Sequence, residues 1–394
     1  MQTRRSPAAV NHLIRVTLGA GLLVSLALAG ASCGNRSSAY PNDGALRLNQ
    51  VQVLGSHNSY HVEATAPLMG ALRGYSSALA ESLEYSHAPL AEQFENLGIR
   101  QIELDVFADP VGGRYADPIG ETFGGTPVSG LPEMRAPGFK VLHVQDIDYD
   151  SRCRTLVKCL NEVRDWSLTH PGHVPMLVLI EAKDEELPDV GLNFVVPLPI
   201  GPTELDVLDA EIRAVFTPDE ILTPDDVRRG RPTLGEAIAS PGWPTLAEAR
   251  GRIIFALDNG GHYKADYLAG HPSLEGRVMF VDSAPGDDFA AFAKLNDPIT
   301  DRDAIATALA AGLIVRTRAD ADTRQGRSGD TTQRDAALTS GAQFVSTDYE
   351  VPDPDFGTGY RVAIPGGTPA RCNPVTAPPG CTSGDIENPD DLVF

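Results

Sequence analysis

Basic side chains are scarce in this chain: 32 Lys plus Arg stand against 53 Asp plus Glu, a formal charge of −21. No basic face is available to track a phosphate backbone, so nucleic acid is not an expected partner. After residue 33 there is no long uncharged apolar run, and the remainder is expected to lie outside the membrane. No repeat of solenoid period is present, and neither close cysteine pair has the short spacer of a zinc knuckle. What is present is a globular balance, 42% hydrophobic and 22% charged, which suits a large buried core and excludes disorder for the bulk of the chain. The acidic excess keeps the surface solvated and supplies carboxylates, the hard oxygen ligands that a cation such as calcium takes.

Arg4, Arg5 and Arg15 flank and precede an apolar run at 16–29 that is too short to span a bilayer, so residues 1–33 are expected to form an export signal. The stretch Leu28-Ala29-Gly30-Ala31-Ser32-Cys33 resembles a bacterial lipoprotein cleavage site, which would leave Cys33 as the acylated residue. Cleavage after Ala29 or Ala31 would instead release a soluble product. The expected location is therefore outside the cytoplasm, either lipid-anchored to the cell envelope through Cys33 or secreted. With Cys33 set aside four cysteines remain, and an even number in an exported chain favours disulfides. Cys153 with Cys159 and Cys372 with Cys381 are the local pairings among the three possible.

Short apolar runs recur at 52–55, 101–107, 140–144, 175–181, 252–257, 277–282, 313–317 and 343–347. Met176-Leu177-Val178-Leu179-Ile180 is apolar at successive positions, as strands covered on both faces of a parallel sheet are. Between the runs, Leu156, Val157, Leu160, Val163 and Trp166 recur at helical spacing until Pro171-Gly172 ends the pattern. Segments 301–311 and 331–338 behave alike, closed by Gly312 and Gly341. Eight strands alternating with helices predict an α/β fold, a (β/α)8 TIM barrel formed as a single domain over 45–350. An open doubly wound sheet is the alternative, because strand order cannot be read from one sequence. Three segments interrupt the rhythm: a Gly/Pro-rich stretch at 109–138, a long insertion at 184–250 with a helical pattern at 205–216, and a Pro/Gly-rich C-terminal extension at 351–394.

In such a barrel, functional side chains sit at the C-terminal ends of the strands. The first run ends in Ser56-His57-Asn58-Ser59-Tyr60, the second carries Glu103 and Asp105, the third ends in His143 and the fourth in Glu181 and Lys183. Strand alternation puts Glu103 and Asp105 on one side, and likewise Glu181 and Lys183. Taken singly, each has a structural explanation: the acids could pair with Arg100 or Arg114, and Glu181 could pair with Lys183. His170 and His173 precede the fourth run and belong to the opposite, stabilising face, whereas His61 and His87 are expected at the surface or rim.

Together, Leu54-Gly55-Ser56-His57-Asn58-Ser59-Tyr60, Ile99-Arg100-Gln101-Ile102-Glu103-Leu104-Asp105, Val141-Leu142-His143 and Leu179-Ile180-Glu181-Ala182-Lys183 resemble the calcium-dependent phosphoinositide-specific phospholipases C. The likeness is to the bacterial and fungal branch, where an Asp-x-Asp and two cysteines follow the third-strand His, as Asp146-Ile147-Asp148, Cys153 and Cys159 do here. It is strong over 51–184 and thin afterwards. The resemblance implies a barrel of the PLC-like phosphodiesterase type, with His57 as general base on an inositol 2-hydroxyl and His143 as the acid that protonates the departing glycerol oxygen. It implies calcium held by Asn58, Glu103, Asp105 and Glu181, with Lys183 beside the phosphate. Lys264, Arg316, Arg318 and Tyr349 at later strand ends are further candidates for phosphate or inositol contacts. The implied substrate is a phospholipid, met at a membrane surface through loops near 66–83 or 109–137.

Two other readings compete. A glycerophosphodiester phosphodiesterase uses a related barrel, but its first-strand His is usually followed by Arg, where Asn58 stands here. A lipoprotein that binds a lipid head group or sugar without turnover would have no need of a matched base and acid such as His57 and His143.

Overall fold

Val51–Ser56 (β1) and Ile99–Phe107 (β2) are buried at every position, their polar residues Gln52, Arg100 and Gln101 included, as strands covered on both faces are. The computed structural model describes residues 40–388, so the expected export signal with Cys33 lies outside the described residues. Chain order continues through Lys140–Val141 (β3), Met176–Ala182 (β4), Ile253–Leu257 (β5), Met279–Val281 (β6), Phe292–Lys294 (β7), Ile314–Arg318 (β8), Phe344–Thr347 (β9) and Ala370–Cys372 (β10). The sheet runs β6-β5-β4-β2-β1-β9-β8-β7 with every one of those neighbours parallel. A parallel bridge between Asp282 and Phe292 joins β6 to β7. Eight parallel strands with helices outside them form the (β/α)8 barrel that the alternation predicts.

The membership of the eight differs from the sequence expectation in one place. The run at 140–144 is not a barrel strand: Lys140–Val141 pairs antiparallel with the end of β2, through Val106–Val141 and Phe107–Lys140. The missing stave is Phe292–Lys294, whose three residues include a lysine and leave no apolar run to read. His143 consequently sits in a loop hung from the end of β2 rather than on a stave of its own.

The insertion at 184–250 is folded, with helices Pro202–Val215, Pro224–Arg228, Leu234–Ala239 and Leu246–Ala249. Helix Leu156–Thr169 starts where the Thr155 hydroxyl accepts from the Lys158 N–H, and it buries Leu156, Cys159, Leu160, Val163 and Trp166 against the barrel. Val157, at the edge of the expected stripe, faces solvent. The disulfides are Cys153–Cys159 and Cys372–Cys381. The C-terminal extension returns to the N-terminal face, where β10 pairs antiparallel with β1 and Glu387 accepts at 2.7 Å from Arg100 Nε. Both side chains are fully enclosed, so losing either would strand a charge at a cost of about 3–5 kcal/mol. His173 lies at this same face, its ring between the Ser167 hydroxyl and the Val174 carbonyl, as expected of a stabilising residue.

Candidate active site

The end of β1 is pinned from both sides before it delivers its side chains. His57 N–H donates to the Thr347 carbonyl on β9, and Ser59 N–H donates to the Glu103 carbonyl on β2. Between them Asn58 adopts φ 45°, a left-handed turn that Asn tolerates better than most residues. Upstream, Gly55 lets the Gln101 side chain approach β1: a β carbon there would lie 1.9 Å from Gln101 Oε1 and 2.8 Å from Gln101 Cβ, where the β1–β2 register shifts.

His57 Nδ1 lies 2.8 Å from Asp348 Oδ1, just beyond β9, while Nε2 lies 3.2 Å from Arg318 Nη1 and 3.8 Å from Glu103 Oε1. Arg318 also reaches Asp348 Oδ2 at 3.1 Å. Burial and the neighbouring Arg318 lower the His57 pKa to about 3, so the ring is neutral, with its proton on Nδ1 toward Asp348. Burial alone would push the Asp348 carboxyl up, but His57 and Arg318 hold it well below the usual carboxylate range. Behind it, burial and the Asp348 charge raise Asp320 to about 7.

Beside His57, carboxylate oxygens of Glu103, Asp105 and Glu181 lie within 4.8 Å of one another. Arg316 Nη2 donates to Glu103 Oε2 at 2.5 Å, and Lys183 Nζ stands 3.3 Å from both Asp105 Oδ2 and Glu181 Oε1. The positive charge is insufficient: burial raises Glu103 to about 7 despite Arg316, and burial with Glu181 and Glu103 nearby raises Asp105 well above its ordinary value despite Lys183. Asn58 Oδ1 and Asp105 Oδ1 are buried without a hydrogen-bond partner among the described residues. Orphaned hard oxygens beside crowded carboxylates fit a calcium ion in donor chemistry and charge.

His143 reaches the same rim from its loop. Val144 and Asp148 exchange backbone hydrogen bonds of 2.9 and 3.0 Å, closing a tight turn in which Asp146 takes φ 69°. Asp146 accepts from the N–H groups of Ile119 and Val195 and so ties the turn to the loops that follow β2 and β4. Asp148 points inward and accepts from His143 Nδ1 at 2.7 Å. The two acids of the Asp-x-Asp therefore do separate work, one anchoring the turn and the other holding the ring.

Of the remaining candidates, Arg316 and Arg318 join the cluster just described. Lys264 does not contact it, since its Nζ donates to the Asp282 carbonyl at the end of β6. Tyr349 is buried with its ring 6.0 Å from Phe356 and 5.8 Å from Tyr360, packed rather than presented to the site. His61 and His87, expected at the surface or rim, are both buried. His61 lies against Asp148, whereas His87 spans Glu350 and the His57 carbonyl. Asp348 was missing from the sequence reading altogether. Its only signal was the position immediately after the last barrel strand, which many loop acids share.

A closed parallel barrel that gathers two carboxylate-backed histidines and an acidic cation cluster at its C-terminal rim defines a phosphodiesterase barrel. A family profile described as "Phosphoinositide phospholipase C, Ca2+-dependent" matches residues 46–374, and the chain belongs to that family of calcium-dependent enzymes. Among solved structures it is similar to a calcium-dependent phosphoinositol-specific phospholipase C from a Pseudomonas species, with 16% identity, TM-score 0.52, 84% of this chain and 97% of that one covered. A calcium-dependent phosphatidylinositol-specific phospholipase C from Streptomyces antibioticus matches at 19% identity and TM-score 0.47, over 80% of this chain and 97% of that one. No curated protein matches the sequence.

Proposed function

We propose that the protein cleaves phosphatidylinositol-type lipids by attack of the inositol 2-hydroxyl on the adjacent phosphorus, giving inositol 1,2-cyclic phosphate and diacylglycerol. The observation that carries this reading is that His57 and His143 each hold a carboxylate through Nδ1, which leaves Nε2 as the working nitrogen of both rings. His57 Nε2 takes the hydroxyl proton as the new phosphorus–oxygen bond forms, and Asp348 stabilises the resulting imidazolium. His143 Nε2 gives a proton to the glycerol oxygen as its bond to phosphorus breaks, and the ring remains oriented by Asp148. Arg318, 3.2 Å from His57 Nε2, has an anionic phosphate as its natural partner, and moving toward one would relieve the charge that depresses the ring's basicity. Asn58, Glu103, Asp105 and Glu181 would hold calcium, which supplies charge stabilisation at the phosphorus oxygens and lowers the pKa of the inositol hydroxyl. In this reading Lys183, now paired with Asp105, would add a cation beside the phosphate, and Arg316, paired with Glu103, is a further candidate for a phosphate or inositol contact. A myo-inositol complex of the Pseudomonas neighbour is consistent with an inositol head group.

A lipid substrate requires an interfacial face. Val111, 87% exposed, and Val196, 51% exposed, project from the loops after β2 and β4, and Arg114 Nη1 links those loops by donating to the Val196 carbonyl. Half of this patch lies in the expected 109–137 loop, and the other half comes from the long insertion. Two disulfides support an oxidising, extracytoplasmic location, reached through the leader and retained by Cys33 or released.

The test is product analysis by phosphorus NMR with purified protein, phosphatidylinositol and calcium. The cyclic ester should appear before inositol 1-phosphate, and chelation should stop turnover. Cleavage of glycerophosphodiesters with no cyclic product would favour the rival phosphodiesterase, and inertness toward every diester would favour the binding protein. Turnover that survives complete calcium removal would overturn the ligand assignment.

A further inference from the structure

We propose that His61 is a positioning residue for His143, acting through Asp148. The inference rests on the preceding reading in one respect, that His143 is the group that gives up the proton. His61 and Asp148 have no solvent exposure at all, and no step of the reaction touches His61 directly.

The hydrogen bonds of His61 determine its form. Nδ1 lies 3.0 Å from the Tyr85 carbonyl, which can only accept, so Nδ1 carries a proton. Nε2 lies 3.0 and 2.9 Å from the two oxygens of Asp148, and an ionised carboxylate can only accept as well. His61 is therefore held by the Tyr85 carbonyl at Nδ1 and forked onto the carboxylate through Nε2, with the Tyr85 ring stacked on it at 4.2 Å. Burial would push the Asp148 carboxyl up, but the His61 charge and the hydrogen bonds from His143 and His61 hold it well below its ordinary range.

The ionised state of Asp148 settles which nitrogen of His143 works. As an acceptor at 2.7 Å it requires a proton on His143 Nδ1, and this turns Nε2 to the open side, where it has no hydrogen-bond partner among the described residues. Without His61, the enclosed carboxylate would be left with His143 as its one side-chain partner, and neutralising it by protonation becomes the cheaper outcome. A protonated Asp148 would donate to Nδ1, reverse the tautomer of His143 and cease to stabilise its charged form. The His61 ring also packs edge-on to His143, with centroids 5.7 Å apart. Its backbone ties the two loops together, since His61 N–H donates to the Asn58 carbonyl and His61 bridges Ser151 beyond the Asp148 turn.

A kinetic cycle of His61→Ala, Asp148→Asn and the double variant tests this, with calcium binding by calorimetry confirming that each variant is folded. His61→Ala should lower kcat on the order of tenfold or more and leave KM within about twofold, because orientation of the acid is felt in turnover. In the Asp148→Asn background the same change should cost less than about twofold further, since its route is already cut. Histidine nitrogen NMR should show both ring nitrogens of His61 protonated, and should show His143 Nδ1 losing its proton in His61→Ala. Should the alanine variant fail to fold, His61→Gln serves, its amide retaining one donor to Asp148 and a smaller loss of kcat. Equal kcat in wild type and the folded variant, or losses that simply multiply in the double variant, would overturn the proposal. A His143→Ala variant with undiminished turnover would instead overturn the reaction reading, and the two failures are distinguishable.

Discussion

His57 and Asp348 are joined by a 2.8 Å contact between Nδ1 and Oδ1 across 291 positions of sequence. The contact fixes the tautomer of a ring that burial and Arg318 keep neutral, and in the proposed reaction it would supply a stabilising charge when the ring takes up the proton. Replacing Asp348 by Asn preserves shape and removes that charge. Steady-state kinetics on Asp348→Asn should show kcat falling on the order of a hundredfold or more, with KM changed far less. An unchanged kcat would mean that His57 is not the base.

Lys183 offsets part of the charge of Asp105 and Glu181 when no ion does so. Its removal in Lys183→Met leaves two acids facing each other, one of them fully enclosed, and the ion-free protein should lose about 1–3 kcal/mol, less than a wholly buried pair because the lysine is partly solvated. Calcium supplies the missing charge, so saturating calcium should raise the melting temperature of the variant by more than it raises that of the wild type. Calorimetric scans with calcium and with chelator provide the comparison. An equal calcium response in both proteins would separate Lys183 from the ion's ligands.

His87 offers a pH-dependent counterpart. Burial lowers its pKa, but Glu350 at 2.9 Å, together with Asp348 and the His57 carbonyl, raises it above the ordinary value overall. A folded-state pKa above the unfolded one means that the contribution to stability is complete below about pH 6.5 and is lost as pH rises through the folded value. His87→Gln should therefore lower the melting temperature more at pH 6 than at pH 9. Losses of equal size at both values would show that the ring acts through its shape alone.

The sequence made the strand-borne part of this site legible and concealed the part that depends on distant partners. Glu103, Asp105 and Glu181 follow from the rule that alternate residues at a strand's C-terminal end share a face, and β2 and β4, nine and seven residues long, are the staves in which acidic residues stand out at such positions. Phe292–Lys294 was hidden because three residues carry too little pattern, and a false stave at 140–144 took its place in the count. His61 and His87 were misplaced for a different reason. Whether a loop histidine is surface or core depends on what folds over it, and their carboxylates lie 87 and 263 positions away. Asp348 belongs with them, since its role exists only once β9 is closed against β1.

The last expectation concerns the apolar patch above the rim. Val111 and Val196 are side chains that water disfavours, on two loops linked by Arg114, and they carry the interfacial contact proposed above for a lipid substrate. Burying each valine at a bilayer surface is worth about 1.5–3 kcal/mol at full transfer, whereas an aspartate in its place opposes insertion. The double variant Val111→Asp, Val196→Asp should lose on the order of tenfold or more in activity on phosphatidylinositol vesicles, because less enzyme is bound at the surface. Neither residue touches the histidines or the acidic cluster, so turnover of a water-soluble inositol phosphodiester should be retained. A sedimentation assay with the same vesicles measures the binding directly. Full vesicle binding by the variant would move the interfacial face to another part of the rim, with Tyr75 in the 66–83 segment, 66% exposed, as the next residue to change.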